Sequence, residues 1–280
     1  MEVLKTYKLY INGQFPRTES GRYMKVLDKE GNLLANVCRA SRKDFRNAVV
    51  AAKAAQAGWE GRTAYNRAQI IYRLAEMTEG RAAQFESELR KCGFSASAAR
   101  TDVRKAIDIM VYYAGWCDKY AQLISAVNPV SGPFFNFSFP EATGVVAAFA
   151  EHNGSLYRAM ALILPPLVAG NAVIVCADEK APLALLSFGE VVQNSDFPAA
   201  VLNILSGSQA ELAPHFASHL EVDCILADQA SKVFSEKDLQ AAAENVKRVV
   251  SLDLSGNRPY GLAYIRPFLE IKTTWHPVGV

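Results

Sequence analysis

Three short polar segments stand out because each follows an apolar run typical of a buried strand. They are residues 151–154, which include His152 and Asn153, residues 176–180 and residues 206–209. Imidazole, amide and carboxylate side chains can move protons or hold a developing negative charge. A lone histidine in such a place is more often structural than catalytic, so we interpret His152 as incidental.

The elements around these segments predict a parallel, doubly wound α/β sheet. Apolar runs at 144–150, 172–176 and 201–205 have the composition of strands that are buried on both faces. Residues 155–169 and 182–192 lie between them and have helical periodicity. Right-handed crossovers bring the carboxyl ends of such strands to one edge, where α/β proteins bind ligands.

The rest of the chain predicts further elements of ordinary type. Ser41 followed by Asp44 indicates a capping box at a helix start, and Asn12-Gly13 indicates a type I′ turn. The other predictions are strands at 8–11, 23–27 and 33–37 that form a small meander, helices at about 64–89 and through 103–114, a helix at about 209–218, a strand at 222–226, a helix at about 236–245 and a strand at 248–254.

Two segments favour antiparallel strands outside the parallel sheet. Turn residues around 128–133 precede residues 134–139, where apolar and polar side chains partly alternate. Residues 268–275 alternate more strictly. We expect a hairpin and a second strand that project from the α/β body.

Composition excludes several classes of protein. The net charge of +2, with 21% charged residues, gives no nucleic-acid footprint. We expect no signal peptide at the N-terminus, and no apolar run is long enough for a membrane span. The five cysteines lack C-x-x-C spacing, which predicts no metal site and favours a cytoplasmic protein.

Several motifs, taken in order, resemble the NAD(P)-dependent aldehyde dehydrogenase superfamily over nearly the whole chain. None is diagnostic alone, but their order and spacing are specific. They are Tyr10-Ile11-Asn12-Gly13, Tyr112-Tyr113-Ala114-Gly115-Trp116, Gly144-Val145-Val146 with Asn153, Ala169-Gly170-Asn171-Ala172-Val173, Val201-Leu202-Asn203 and the stretch 253–259. The resemblance implies a Rossmann-like domain with N-terminal helices at 1–122 and 142–261, and oligomerisation strands at 123–141 and 262–280.

The resemblance also implies site residues, most of them altered. Asn153 stands at the position of the oxyanion asparagine, and Asp253 at that of the general-base glutamate, where it is one methylene too short. Glu179 matches the residue that holds the adenosine ribose. Of the phosphate-binding glycines only Gly207 remains, and Glu211 places a carboxylate in the first helical turn. We therefore expect only remnants of both sites, with no bound cofactor or doubtful NAD binding.

The cysteine nucleophile of the family has no counterpart in this chain. It lies downstream of the glutamate motif, whereas no cysteine follows Cys224 here, and Pro259 leads almost directly to the last predicted strand. We predict a truncated, degenerate member that is catalytically inactive. It would act as a structural or regulatory subunit, assembling with itself or with a full-length aldehyde dehydrogenase. The alternatives are an NAD-dependent aldehyde dehydrogenase that is active only in a complex, and a nucleotide-binding sensor.

Overall fold

The computed structural model describes residues 5–256 and 260–279. Its helices are α1 (Arg42–Glu60), α2 (Ala64–Glu79), α3 (Ala82–Lys91), α4 (Ala96–Ala114), α5 (Tyr120–Ile124), α6 (Leu156–Val168), α7 (Leu183–Asn194), α8 (Gln209–Ser218), α9 (Glu236–Glu244) and α10 (Leu262–Ile265). Its strands are β1 (Thr6–Tyr7), β2 (Tyr23–Leu27), β3 (Leu33–Cys38), β4 (Ala126–Asn128), β5 (Phe134–Ala142), β6 (Val145–Phe149), β7 (Ala172–Cys176), β8 (Leu202–Leu205), β9 (Cys224–Asp228), β10 (Arg248–Leu252) and β11 (Leu269–Pro277).

A five-stranded parallel sheet of order β10-β9-β6-β7-β8 forms the centre. The chain runs outward from β6 to β8 and then returns to β9, so the strand order reverses between β6 and β9. In doubly wound sheets, such a reversal opens a crevice at the carboxyl ends of the strands. The α/β fold with a parallel and an antiparallel sheet is confirmed.

Helices cover both faces of the parallel sheet because alternate strand residues point to opposite sides. On one face, Val145 and Ala147 pack with Phe45 of α1 and Phe216 of α8. On the other face, Val146 packs in a larger cluster with residues of α4, α6 and α7. The strands β6 and β7 are buried along their whole length, as their continuous apolar sequence predicts.

The capping box at the start of α1 is confirmed. Asp44 N donates to Ser41 Oγ (3.2 Å), and Ser41 N donates to Asp44 Oδ2 (2.8 Å). The turn at Asn12-Gly13 is also present, with positive φ at both residues. The predicted helix over 64–89 is wrong in one respect. It is interrupted at Gly80 and Arg81, because glycine is a poor interior helix residue and ends α2 here.

The N-terminal sheet differs from the predicted meander. Its order is β1-β3-β2, and β1 pairs parallel with β3, which a meander does not allow. Residues 8–11 do not form the predicted strand. Instead, Tyr10 exchanges two backbone hydrogen bonds with Ile204 of β8 (2.9 and 2.8 Å), which attaches this segment to the edge of the parallel sheet. The strand predicted at 222–226 lies two residues later, as β9.

A third sheet, of order β11-β5-β4, is antiparallel. The predicted hairpin is confirmed as β4 and β5, and the predicted last strand as β11. β11 pairs with β5 along its full nine residues, from Leu269 opposite Ala142 to Pro277 opposite Phe134. The domain boundaries at 122, 142 and 261 stay a prediction.

Candidate functional site

The carboxyl ends of the five parallel strands meet at one edge, and the four predicted site residues lie in the loops there. Asn153 follows β6, Glu179 follows β7, Gly207 follows β8 and Asp253 comes directly after β10. The ends of β6, β7 and β8 are level, because Phe149 pairs with Cys176 and Cys176 with Leu205. The fold therefore gathers these residues at the edge where chemistry is expected.

The loop after β6 is a tight turn. His152, Asn153 and Gly154 have successive positive φ values of 73°, 55° and 77°. A Cβ at Gly154 would lie 2.2 Å from the carbonyl oxygen of Ala181, so the loops after β6 and β7 are in contact. Asn153 itself is exposed. An oxyanion donor works best when it is fixed and shielded from water, which this position does not provide.

His152 has a carboxylate partner that the sequence interpretation missed. Its Nε2 lies 3.2 Å from Oδ2 of Asp228, although the angle is poor for a hydrogen bond. Asp228, only 6% exposed, accepts hydrogen bonds from Ala230 N (2.7 Å) and Leu254 N (3.1 Å). The only signal in the sequence is an aspartate at the end of an apolar run. The imidazole of His152, in the loop after β6, thus lies next to a buried carboxylate at the end of β9.

Asp253 is exposed and forms a turn with the residue two positions on. Its Oδ1 accepts hydrogen bonds from Ser255 N (2.9 Å) and Ser255 Oγ (2.5 Å). These bonds hold the pKa of Asp253 below its usual value. A general base that works near neutral pH needs the opposite shift. Residues 257–259 of the family-like stretch lie outside the described residues.

No thiol at this edge is suited to nucleophilic attack. Cys176 and Cys224 are buried in β7 and β9, and burial raises the pKa of each thiol. Burial also raises the pKa of Cys38, that of Cys92 to about 11 and that of Cys117 to about 12. The thiolate is the reactive form, so all five cysteines of the chain are poor nucleophiles.

The segment after β8 does not fit a dinucleotide pyrophosphate. A Cβ at Gly207 would lie 3.1 Å from Ala40 N. Gly207 therefore packs closely against the backbone that follows the N-terminal sheet. Glu179 Oε2 accepts a hydrogen bond from Gln209 N (3.3 Å), the first amide of α8. Two carboxylates, those of Glu179 and Glu211, therefore lie at the helix start where a phosphate would need free donors.

A cavity of about 320 Å³ lies beside the Asn153 loop, between α4 and the start of α6. Its walls include the charged residues Asp102, Lys105 and Arg158. Asp102 caps α6, accepting hydrogen bonds from Ser155 Oγ and Tyr157 N (3.1 Å). Burial raises the pKa of Asp102. The carboxylate of this cavity is thus occupied in capping α6.

A larger cavity, of about 1070 Å³, lies on the outer side of α1. Ala199 and Ala200 line it, and they precede β8 rather than follow it. Its lining runs along α1 from Asp44 to Ala55, and none of the four predicted site residues is part of it. We assign no function to it.

The link from β10 to β11 is short and is tied to the sheet. Arg158 donates to the carbonyl oxygens of Ser255 (3.2 Å) and Gly256 (3.1 Å). Asn171 Nδ2 donates to Phe268 O (3.0 Å), and Arg248 Nη1 donates to Leu269 O (2.7 Å). Among the described residues between β10 and β11, these contacts hold 255–256 and 268–269 against the body of the protein.

Two features are absent from the parts of the chain that the structure describes. No group of three or more metal-ligating side chains occurs among residues 5–256 and 260–279. Within the same residues, every helix is too short or too polar to cross a membrane.

The fold defines an α/β protein of the dinucleotide-binding type. Its family follows from a match of residues 16–263 to the model of the aldehyde dehydrogenase family. The chain belongs to the aldehyde dehydrogenase family. This confirms the resemblance found in the motifs.

Individual relatives agree with this assignment. The chain is 32% identical to the DhaS protein of Bacillus subtilis over 260 residues, which cover 91% of this chain and 51% of that protein. It is 31% identical to human retinal dehydrogenase 2 over 262 residues, covering 91% and 50%. An aldehyde dehydrogenase from Bacillus cereus, solved as its NAD⁺ complex, superposes with a TM-score of 0.83 at 26% identity, covering 89% and 51%. The chain thus spans about half the length of these relatives.

Proposed function

We propose that this chain is a catalytically inactive aldehyde dehydrogenase-family protein that acts as a structural or regulatory subunit through its antiparallel sheet. In this proposal Asn153 and Asp253 are remnants of a catalytic site, and Glu179 and Gly207 are remnants of a cofactor site. The buried thiols with raised pKa values support the absence of a nucleophile. The unpaired cysteines also support the cytoplasm as its compartment.

The observation that carries the proposal is the exposed aromatic surface of the β11-β5-β4 sheet. On one face, Phe135, Phe137 and Phe139 form a ladder with ring centroids 5.4 and 5.9 Å apart. His276 of β11 stacks on Phe137 at 6.5 Å. Phe135 is 46% exposed, which costs free energy unless a partner covers it. We name Phe135, Phe137, Phe139 and His276 the aromatic ladder.

The opposite face of this sheet is mainly polar. Asn128 Nδ2 donates to Asn136 Oδ1 (2.6 Å) and to Ser138 Oγ (2.8 Å). Ser138 in turn shares a hydrogen bond with Thr273 (2.8 Å). Trp275 lies on this face and is 58% exposed, with its ring against Phe134. The two faces therefore offer a partner different chemistry, and variants can distinguish them.

The outer edge of β11 is the second interaction element. β11 pairs with β5 on one side, and none of the described residues pairs with its other side. Unpaired strand edges are templates for a further strand from another chain. An exposed edge beside an exposed aromatic face is typical of a surface that a second subunit covers. That subunit is either a second copy of this chain or a full-length aldehyde dehydrogenase.

Light scattering after size-exclusion chromatography tests the proposal, on the protein alone and after co-expression with a full-length aldehyde dehydrogenase. We expect a dimer, a larger homo-oligomer or a mixed complex. Phe135→Glu and Trp275→Glu should each weaken assembly, the former more strongly if the aromatic ladder is the buried face. Leu220→Glu is the matched control, since it also charges an exposed apolar side chain but lies outside this sheet.

A monomer under both conditions would contradict the proposal. Production of NADH from short aldehydes by the purified complex tests the alternative of an enzyme that is active only when assembled. That interpretation requires the rate to exceed the rate of the partner alone and to be lost on changing residues of this chain. A saturable heat on titration with NAD would instead favour the nucleotide sensor.

A further inference from the structure

The outer edge of β11 has a short stretch of free backbone groups. Two hydrogen bonds just outside the strand show which way its backbone points: Thr143 N donates to Phe268 O (3.2 Å), and Val278 N donates to Pro133 O (2.9 Å). Residues 268 and 278 therefore direct these groups to β5, and the register between them has no shift. In an antiparallel pair the direction alternates along the strand. Even-numbered residues of β11 thus bond to β5, and odd-numbered residues point away from it.

Both ends of this free edge are closed by the chain itself. The carbonyl oxygen of Leu269 accepts a hydrogen bond from Arg248 Nη1 (2.7 Å). At the other end, Pro277 has no N–H to donate. Between these ends lie the exposed residues that direct both N–H and C=O outward, with no pairing partner among the described residues: Ile271, Thr273 and Trp275.

The free edge of β4 is shorter. Because the odd-numbered residues of β5 bond to β11, its even-numbered residues bond to β4, where they lie opposite Ala126 and Asn128. Within β4, Val127 alone therefore points its backbone outward, and Pro129 follows directly after the strand. An added strand would find a longer row of bonding positions on β11, so β11 is the edge suited to pairing.

We propose that β11 pairs antiparallel with β11 of a second copy of this chain, with Thr273 on the two-fold axis. This inference rests on the proposed function, since it names the partner and the contact through which the subunit assembles. A pairing centred on Thr273 joins Ile271 to Trp275 of the second copy and satisfies every outward N–H and C=O of these three residues. Ile271 and Trp275 are 51% and 58% exposed, and each would cover the other across the junction.

The side chains on the other face of β11 fit the same register. With Thr273 at the centre, Glu270 lies opposite His276 of the second copy, and Lys272 lies opposite Thr274. An imidazole N–H can donate to a carboxylate, and a directly opposite pair of this kind is favourable. The pairing therefore places no like charges opposite each other.

Neighbouring registers are less favourable. A shift of two residues in one direction places Lys272 opposite Lys272 of the second copy, where like charges repel. The same shift in the other direction places Ile271 opposite Pro277, which cannot donate a hydrogen bond. Larger shifts take Ile271 or Trp275 beyond the paired length. The free groups and the charges thus select the register centred on Thr273.

Light scattering across a dilution series of the whole chain measures the dissociation constant of this dimer. Thr273→Pro removes the central outward N–H and leaves the backbone hydrogen bonds to β5 in place. It should raise the dissociation constant on the order of 100-fold, since each copy loses one hydrogen bond worth about tenfold. Thr273→Val is the matched control, because it also loses the hydroxyl contact with Ser138 (2.8 Å) but keeps its N–H. It should assemble like the wild type.

Disulfide formation identifies the register of the pairing. Lys272 and Thr274 of the second copy would form a non-hydrogen-bonded pair, with Cα atoms about 4.5 Å apart, which is close enough for a disulfide. A mixture of Lys272→Cys and Thr274→Cys chains should therefore give a covalent dimer on mild oxidation, whereas neither variant alone should do so. The wild type, with its five cysteines, is the control for other links.

The outcomes separate this inference from the proposed function. The inference is overturned if Thr273→Pro assembles as tightly as Thr273→Val, or if the mixed cysteine variants do not link. It is also overturned if one cysteine variant links to itself, because the register is then shifted. A chain that is monomeric alone but binds a full-length aldehyde dehydrogenase contradicts the inference and leaves the proposed function standing. Monomers under both conditions contradict both.

Discussion

Two regions of the molecule differ in how far their side chains are already paired or buried within the chain. One is the carboxyl edge of the parallel sheet, and the other is the antiparallel sheet. At the carboxyl edge of the parallel sheet, charged side chains form hydrogen bonds within the chain, as in the pairs of Glu211 with Arg39 and of Asp253 with Ser255. In the antiparallel sheet, hydrophobic side chains such as Phe135 and Trp275 stay exposed, and the outer edges of β11 and β4 are unpaired among the described residues.

This difference indicates which surface of the molecule is available to bind a partner. A binding site needs groups that the protein leaves unsatisfied until the ligand arrives. Few such groups are described at the edge of the parallel sheet, although the family fold places its chemistry there. The aromatic ladder, in contrast, exposes area whose burial is favourable. The fold is that of a family of enzymes, but the exposed aromatic side chains of the aromatic ladder lie on the antiparallel sheet.

The strictest test of this difference is to replace a phenylalanine by alanine in each of the two regions. Phe149 is buried at the end of β6, with its ring 4.4 Å from that of Phe216, and Phe137 is half-buried in the aromatic ladder. Phe149→Ala should lower the free energy of unfolding by about 3–5 kcal/mol, because it leaves a cavity in the core. Phe137→Ala should cost about 1 kcal/mol. Urea denaturation of both variants measures the two values.

The effects of the same two variants on assembly should follow the reverse order. Phe137→Ala is expected to weaken association more than Phe149→Ala at temperatures where both stay folded. Equal losses of folding stability would mean that the ladder is part of the monomer's core. The distinction between the two regions would then be wrong.

The next largest expected loss of folding stability comes from a substitution in the loop after β6. Gly154 has φ of 77° and no room for a Cβ, which would lie 2.2 Å from Ala181 O. Gly154→Ala should cost about 3 kcal/mol, from left-handed strain together with the steric overlap. Gly21→Ala is the matched control, because Gly21 has φ of 68° but nothing within 4 Å of an added Cβ. The control should cost only about 1 kcal/mol.

The two glycine variants are compared by thermal unfolding at one pH. Similar midpoints would show that backbone strain alone determines the cost. The close contact between the loops after β6 and β7 would then have little energetic weight.

Local patterns were sufficient for most of the fold and for the position of the candidate site. The capping box of Ser41 and Asp44 was visible in four residues, and α8 begins and ends where its periodicity predicts. Asn153 was expected at a strand end because the apolar run before it stops abruptly. Such features depend on neighbours in sequence, so they can be found from sequence alone.

What the sequence did not reveal depends on distant residues. The contact of Arg22 and Arg39 with Glu211 joins positions far apart in the chain, and no local pattern encodes it. The parallel pairing of β1 with β3 and the contact of His152 with Asp228 are of the same kind. The break at Gly80 was missed because the flanking helices share an apolar periodicity that continues across it.

A smaller loss of folding stability is expected when the contacts that attach β11 to the parallel sheet are removed. Arg248 Nη1 donates to Pro267 O (2.9 Å) and Leu269 O (2.7 Å), and its Nη2 pairs with Glu270 (2.6 Å). Arg248→Met should cost about 2 kcal/mol in urea denaturation, because it leaves two carbonyl groups without their donor. Arg158→Met, which also loses two carbonyl contacts but at an exposed position, should cost less. A larger loss for Arg158→Met would contradict the importance of this attachment.

The smallest expected effect on stability concerns pH and contrasts the buried carboxyl of Glu88 with the half-buried carboxyl of Glu211. Glu88 is buried, and burial raises its pKa despite hydrogen bonds from Ser187 (2.6 Å) and Tyr7 (3.1 Å). Because the folded state holds this proton more tightly, stability is complete below the unfolded pKa and is lost as pH rises through the folded pKa. Glu88→Gln should therefore gain on the wild type as pH rises from 4 to 7, by on the order of 1 kcal/mol.

Glu211 should show the opposite sign. Its pKa is lowered, so its stabilisation is present above the unfolded pKa and is lost as pH falls through the folded pKa. Glu211→Gln should consequently lose most against the wild type at neutral pH and least in acid. Thermal unfolding of both variants between pH 4 and 7, each as a difference from the wild type, measures the two slopes. Slopes of the same sign would mean that Glu88 is not destabilised by burial or that the arginines do not stabilise the Glu211 carboxylate, and the variant whose slope departs from expectation identifies which.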